Sequence, residues 1–151
     1  MLFVNKHRGF TMIELVFVIV VLGILAAIAI PRLAATRDDA EVAKGRSDVS
    51  AIRSAIVSER QGRLLQGDSS FIATLDNAAQ NTPDQDLFDN NGLLMYGIKS
   101  ANRNGHWMKV GATSYNYKIM GTDVTFDYNA TSGRFDCTAD ADVAECRLLT
   151  N

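Results

Sequence analysis

The sequence predicts an α+β protein: a long N-terminal helix, half of it suited to a membrane and half amphipathic, packed on a small antiparallel sheet. Two patterns predict it. From Phe10 to Ile30 the chain is apolar except for Thr11, Glu14 and Gly23, and helical spacing continues beyond that run. Past Leu93 the period falls to two. Tyr115, Tyr117 and Ile119 alternate with Asn116 and Lys118, and Val124, Phe126 and Tyr128 alternate with Thr125 and Asp127, as strands with one buried face do. The expected divisions are a leader over 1–9, a membrane or assembly helix over 10–31, an amphipathic helix half over 32–63 and a small α+β head over 64–151.

As a helix, Phe10 to Ile30 is about 31 Å long at roughly 1.5 Å per residue, enough to cross the hydrocarbon of a bilayer. One carboxylate, Glu14, lies inside it. A charge at that depth costs at least ~2.5 kcal/mol, so it needs a partner. Cutting the chain after Gly9 supplies one: the new α-amino cation of Phe10, about one helical turn away. Lys6 and Arg8 precede the run and favour an N-terminus that stays cytoplasmic while the remainder is exported.

Gly9-Phe10-Thr11-Met12-Ile13-Glu14 resembles the processing site of the type IV pilin and type II secretion pseudopilin family, whose pattern is glycine followed by F-T-L-I-E. Met12 is a conservative departure. Gly23 and Pro31 fall where family members often carry residues that loosen the helix. The resemblance covers roughly residues 6–36 and implies a pilin-like fold. It further implies cleavage between Gly9 and Phe10 by a membrane prepilin peptidase and N-methylation of Phe10. Assembly of like subunits into a filament would follow, by way of an inner-membrane platform, with Glu14 of one subunit meeting the Phe10 amine of another. The implied course runs from a single-pass inner-membrane protein, held in lipid with its head periplasmic, to a periplasmic pseudopilus or a surface pilus. A small head with no long variable region favours the secretion branch, and a disulfide-closed C-terminal loop favours the pilus branch. Two other readings compete. A secretory signal peptide would cleave at Ala27-Ile28-Ala29 but leaves Glu14 unexplained. A plain anchor would carry an exported binding module that never polymerises.

Beyond Pro31, Val42, Val49, Ile52 and Ile56 recur at spacings of seven, three and four, an apolar stripe on one helical face. The expected helix runs from Phe10 to near Gln61, with a bend at Pro31, a weak point at Gly45 and a stop at Gly62. Asp68-Ser69-Ser70 is expected to cap a short helix over Phe71–Ala79, and Asn81-Thr82-Pro83-Asp84 to turn. An acidic loop follows. Strands are expected over Leu93–Ile98 and His106–Val110, along the two alternating runs, and from Phe135 into Cys137. Gly121-Thr122 suits a type II′ hairpin.

The formal charge is −2. It becomes more negative once Lys6 and Arg8 leave with the leader, which is too mild to decide partners. Cys137 and Cys146 are an even, closely spaced pair, read in an exported domain as a disulfide. It closes a loop of about ten residues, worth roughly 2.5–3 kcal/mol in the chain-entropy model. Free thiols or a metal site are the alternatives.

No nucleophile–base pair, phosphate loop or zinc-protease motif appears, so no catalytic residue is assigned and no cofactor is expected. Asp84, Asp86 and Asp89, with Asn90, are weak candidates for calcium against a solvated loop. Lys99, Arg103, Trp107 and Lys109 lie in a window without acids and are weak candidates for nucleic-acid contact, against exposed strand faces.

Overall fold

The computed structural model describes residues 9–137 and 144–150, and for 30–35 the backbone alone. Most of the expected leader, with Lys6 and Arg8, therefore lies outside the described residues, as does the side chain of Pro31. The chain divides into two units, Met1–Arg37 and Asp38–Asn151.

Helix α1 spans Met12–Leu65, and its assignment passes position 31 without a break. It ends later than expected, at Leu65, with Gly67 instead of Gly62 as the stop. Gly67 has φ +85°, a conformation that costs glycine little. Around it Gly67 N–H donates to the Leu64 carbonyl (3.1 Å) and Asp68 N–H to the Arg63 carbonyl (2.9 Å). These two bonds close a helix C-terminus and satisfy its last carbonyls. Gly62 stays helical because nothing at that position forces a left-handed residue.

In the second unit four strands form an antiparallel meander, each beside the next in chain order. The strands are β3 (Trp107–Lys109), β4 (Ser114–Ile119), β5 (Thr122–Asn129) and β6 (Arg134–Cys137). The register pairs Trp107 with Tyr117, Tyr117 with Val124, Tyr115 with Phe126 and Phe126 with Cys137. Period two thus brings the large residues of all four strands to one face. That face buries Trp107, Tyr115, Tyr117, Phe126 and Phe135 against Val49, Ile52 and Ile56 of α1. Trp107 is centred 5.0 Å from the Tyr117 ring and 5.3 Å from Phe126, within the range of favourable aromatic pairs.

Three expectations fail here. Ile119 pairs directly with Thr122, so Met120 and Gly121 make the hairpin turn. Both have positive φ (49° and 82°), which is type I′ instead of II′. The apolar run Leu93–Ile98 contributes only β2 (Ile98–Lys99), which pairs with β1 (Asp86–Leu87) out of the stretch expected to be a loop. No helix forms over 71–79. Asp68 caps the N–H of Ser70 (2.9 Å), but Asp76 then draws the backbone into a loop described below. A second helix, α2 (Ala144–Thr150), was not expected at all.

Gly45 has a positive role in the packing. A Cβ there would stand 2.5 Å from Leu149 Cδ2 and 2.6 Å from Tyr117 Cε1. The residue that weakens the helix locally lets α2 and β4 close on it.

Candidate functional site

The candidate site is the head of α1 in the first unit. Thr11 precedes the first helical residue, and its Oγ1 accepts a hydrogen bond from Glu14 N–H at 3.3 Å, while Leu15 N–H reaches the Thr11 carbonyl at 3.1 Å. Thr11 is thus an N-cap, and the spacing Thr-x-x-Glu is that of a capping box. Glu14 falls in the first turn, where the positive end of the helix dipole favours an anion. Among the described residues its carboxylate has no ion-pair partner.

Every side chain from Phe10 to Ala29 is exposed; Phe10 is 77% and Ile13 78% accessible. A helix that is apolar all round is a helix meant to be surrounded, by lipid or by other protein. Met12–Ala29 is long and apolar enough to cross a membrane. Among the described residues nothing lies within 4 Å of a Cβ built at Gly9 or Gly23. Gly9 adds no side chain before Phe10, and Gly23 makes no close contact among the described residues.

Residues 4–30 match the family described as the prokaryotic N-terminal methylation motif. The N-terminal segment carries that motif. The chain is also similar to the type II secretion system core protein G of Escherichia coli strain K12, at 38% identity over 52 residues, 34% of this chain and 36% of the relative. The protein of the same description from Klebsiella michiganensis is 45% identical over 52 residues, 34% and 37% of the two chains. The type IV narrow pilus major component PilA5 of Thermus thermophilus is 50% identical over 50 residues, 33% of this chain and 43% of that one. The matched segment spans only about a third of the length of the core protein G relatives. No solved structure matches the chain.

The methylation motif leaves the head to be read on its own residues. Cys137 and Cys146 form a disulfide, with Cα atoms 6.2 Å apart. It ties the end of β6 to the first turn of α2, and the side chain of Arg46 holds α2 again by donating to the Leu148 carbonyl.

Asp86 and Asp89 line one open cavity with Asn77, Gln85 and Asn90, and Asp84 is not part of it. Asp86 is paired with Lys99 at 2.8 Å. Among the described residues no cluster of three or more metal-binding side chains forms.

Lys99, Arg103, Trp107 and Lys109 do not form a basic aromatic surface. Trp107 is fully buried, its indole N–H donating to Asp48 Oδ2 at 3.0 Å. Arg103 Nη2 lies 3.1 Å from His106 Nε2. Lys109 is buried too. Its Nζ sits 2.7 Å from Asp76 Oδ1, with side-chain accessibilities of 7% and 0%.

Asp76 is the residue that sequence reasoning missed. Its carboxylate accepts from Lys109 Nζ, from Ala78 N–H (3.1 Å) and from Phe88 N–H (3.3 Å). One side chain thereby pins the irregular connector to β3. A buried ion pair survives only when such extra bonds satisfy its remaining atoms. Burial, with the Asp76 carboxylate adding to it, pushes the Tyr115 hydroxyl well above the usual tyrosine range. Burial, then Asp48 and Glu41, does the same to Tyr117, whose hydroxyl donates to the Glu41 carbonyl at 2.7 Å. These neutral phenols and the buried pair are core structure.

Proposed function

We propose that this chain is a structural subunit of a type IV filament-like assembly, and within that class a pseudopilin of a type II secretion apparatus, acting in protein export across the outer membrane. The observation that carries the reading is a bare apolar helix headed by Glu14, directly after Gly9-Phe10, inside the methylation motif. Lipid surrounds that helix before assembly, and neighbouring subunits surround it afterwards. A prepilin peptidase cuts between Gly9 and Phe10, Phe10 is N-methylated, and an inner-membrane platform adds the subunit with its head on the periplasmic side. Glu14 meets the Phe10 amine of a neighbour, because a carboxylate in low dielectric needs a cation. Gly23 and Pro31 give the helix room to adjust as it packs.

Similarity to core protein G relatives favours the secretion branch. The alternative is a type IV pilin serving adhesion, motility or DNA uptake. It is favoured by the likeness to the narrow pilus component and by the disulfide that closes the C-terminal loop.

Mass spectrometry of the mature protein tests the class. It should begin at Phe10 with one methyl group on nitrogen, and an intact leader on assembled protein would end the proposal. Deleting the chain then tests the branch: loss of an exported enzyme with surface pili unchanged is expected, and the reverse would assign it to a pilus.

A further inference from the structure

We infer that Asn129 is an acceptor site for N-linked glycosylation in the exported head, a reading that rests on the proposed export. Asn129-Ala130-Thr131 is the chain's only Asn-x-Ser/Thr triplet with x other than proline, the pattern that marks such acceptors in surface loops. It lies where β5 turns into β6. Asn129, Thr131 and Ser132 are all exposed there.

The turn presents the triplet in a fixed form. Asn129 Oδ1 accepts from Thr131 N–H at 2.9 Å and from Ser132 N–H at 3.2 Å, and Gly133 N–H donates to the Asn129 carbonyl at 2.7 Å. Phe71 packs beneath Gly133, where a Cβ would stand 2.1 Å from its ring. With Oδ1 engaged, Nδ2 is left without a partner among the described residues, in a side chain already held in one orientation. Beside it is an open cavity of about 350 Å³ lined by Asp127, Asn129, Ser132, Arg134 and Asp136. Asp127 Oδ1 is shielded from solvent and has no hydrogen-bond partner among the described residues. Acceptor oxygens beside a guanidinium suit the hydroxyls of a sugar better than an apolar ligand.

The reaction is a group transfer from an oligosaccharide carried on a lipid pyrophosphate. Nδ2 attacks the anomeric carbon of the first sugar, forming the C–N bond. The bond from that carbon to the pyrophosphate oxygen breaks, and its electron pair leaves with the lipid pyrophosphate. One Nδ2 proton passes to a base on the transferase, and nothing is oxidised or reduced.

Protein purified from the membranes of its own cells and digested with trypsin yields the peptide 119–134. It should be heavier by an oligosaccharide, with sugar losses in fragmentation and the attachment mapped to Asn129. Asn129→Asp keeps an oxygen for the two turn N–H groups, so the head folds while the added mass disappears completely. Thr131→Ala should also remove it, whereas Thr131→Ser and Ser132→Ala should retain it. Added mass that survives Asn129→Asp and is lost in Ser132→Ala would overturn the assignment. So would a bare peptide from protein whose Cys137 and Cys146 are oxidised and whose head is protease-accessible in spheroplasts. A bare peptide from protein with free thiols and a protected head would instead overturn the export reading, and this inference with it.

Discussion

Helix α1 meets two different surroundings. In the first unit its side chains are large, apolar and uncovered: Phe10, Ile13, Phe17 and Leu25 all exceed half of full exposure. In the second unit the same helix shows a narrow stripe, with Val49, Ile52 and Ile56 at 1% or less. Asp48 binds the Trp107 indole from that part, and Arg53 donates to the Phe135 carbonyl and to Asp136, both at 2.9 Å. The lesson is that hydrophobicity alone does not separate the two. The second unit buries the stripe of its helix against its own sheet, and the first leaves its whole apolar run uncovered. Its apolar surface is therefore information about partners, while that of the second is information about folding.

The sharpest way to break this contrast is Glu14→Ala. It removes the one charge from the uncovered run, so insertion should persist and unfolding of the head should not change. Assembly should nonetheless be abolished or nearly so, because the neighbour's amine is stranded at a cost of several kcal/mol. With the variant as sole copy, filament yield and export are compared with membrane insertion as control. Full export by Glu14→Ala protein would mean that the first unit is merely an anchor.

Lys109→Met probes the opposite property. It should leave insertion and assembly signals intact but strand the Asp76 carboxylate in the core, costing the head about 3–5 kcal/mol. Trp107 is the only tryptophan and lies in that core, so its fluorescence during urea unfolding reads the loss. A midpoint equal to wild type would show that the Asp76–Lys109 pair is open to water.

Lys109 also shows what could be read in advance and what could not. Period two places residues 107 and 109 on one face of β3, so once Trp107 turns inward Lys109 must follow. The register held that information, yet the positive charge argued for the surface. Asp76 was harder to find, because the contacts that hold it come from residues 12 and 33 positions further along the chain. The two central strands, β4 and β5, were legible because large and polar residues alternate along them. Helix α2 was not, since its buried residues are only Cys146 and Leu149. Seven residues show no period, and α2 is held by the disulfide and by Arg46. The candidate site at Gly9, Phe10 and Glu14 was legible because its constraint is local: one acid at the head of an apolar run.

The smallest expected effect sets two glycines of the one helix against each other. Alanine is better than glycine inside a helix by about 1 kcal/mol, so propensity alone makes Gly23→Ala and Gly45→Ala equal gains. The surroundings make them differ. A methyl at Gly23 meets nothing within 4 Å among the described residues, whereas one at Gly45 meets both Leu149 and the Tyr117 ring. That ring cannot swing away freely, since its hydroxyl is bonded to the Glu41 carbonyl. Overpacking of this kind costs about 1–3 kcal/mol, which outweighs the propensity gain. Gly45→Ala should therefore lower the urea midpoint read at Trp107 at an unchanged slope, a net loss of up to about 2 kcal/mol of stability, and Gly23→Ala should leave it where it is. Because Leu149 sits on a helix tethered through Cys146, the penalty at Gly45 should shrink when Cys137 and Cys146 are both replaced by serine. The two changes would then be coupled instead of additive. A rise in the midpoint with Gly45→Ala would mean that α2 does not pack on α1, and the closed second unit would lose one of its walls.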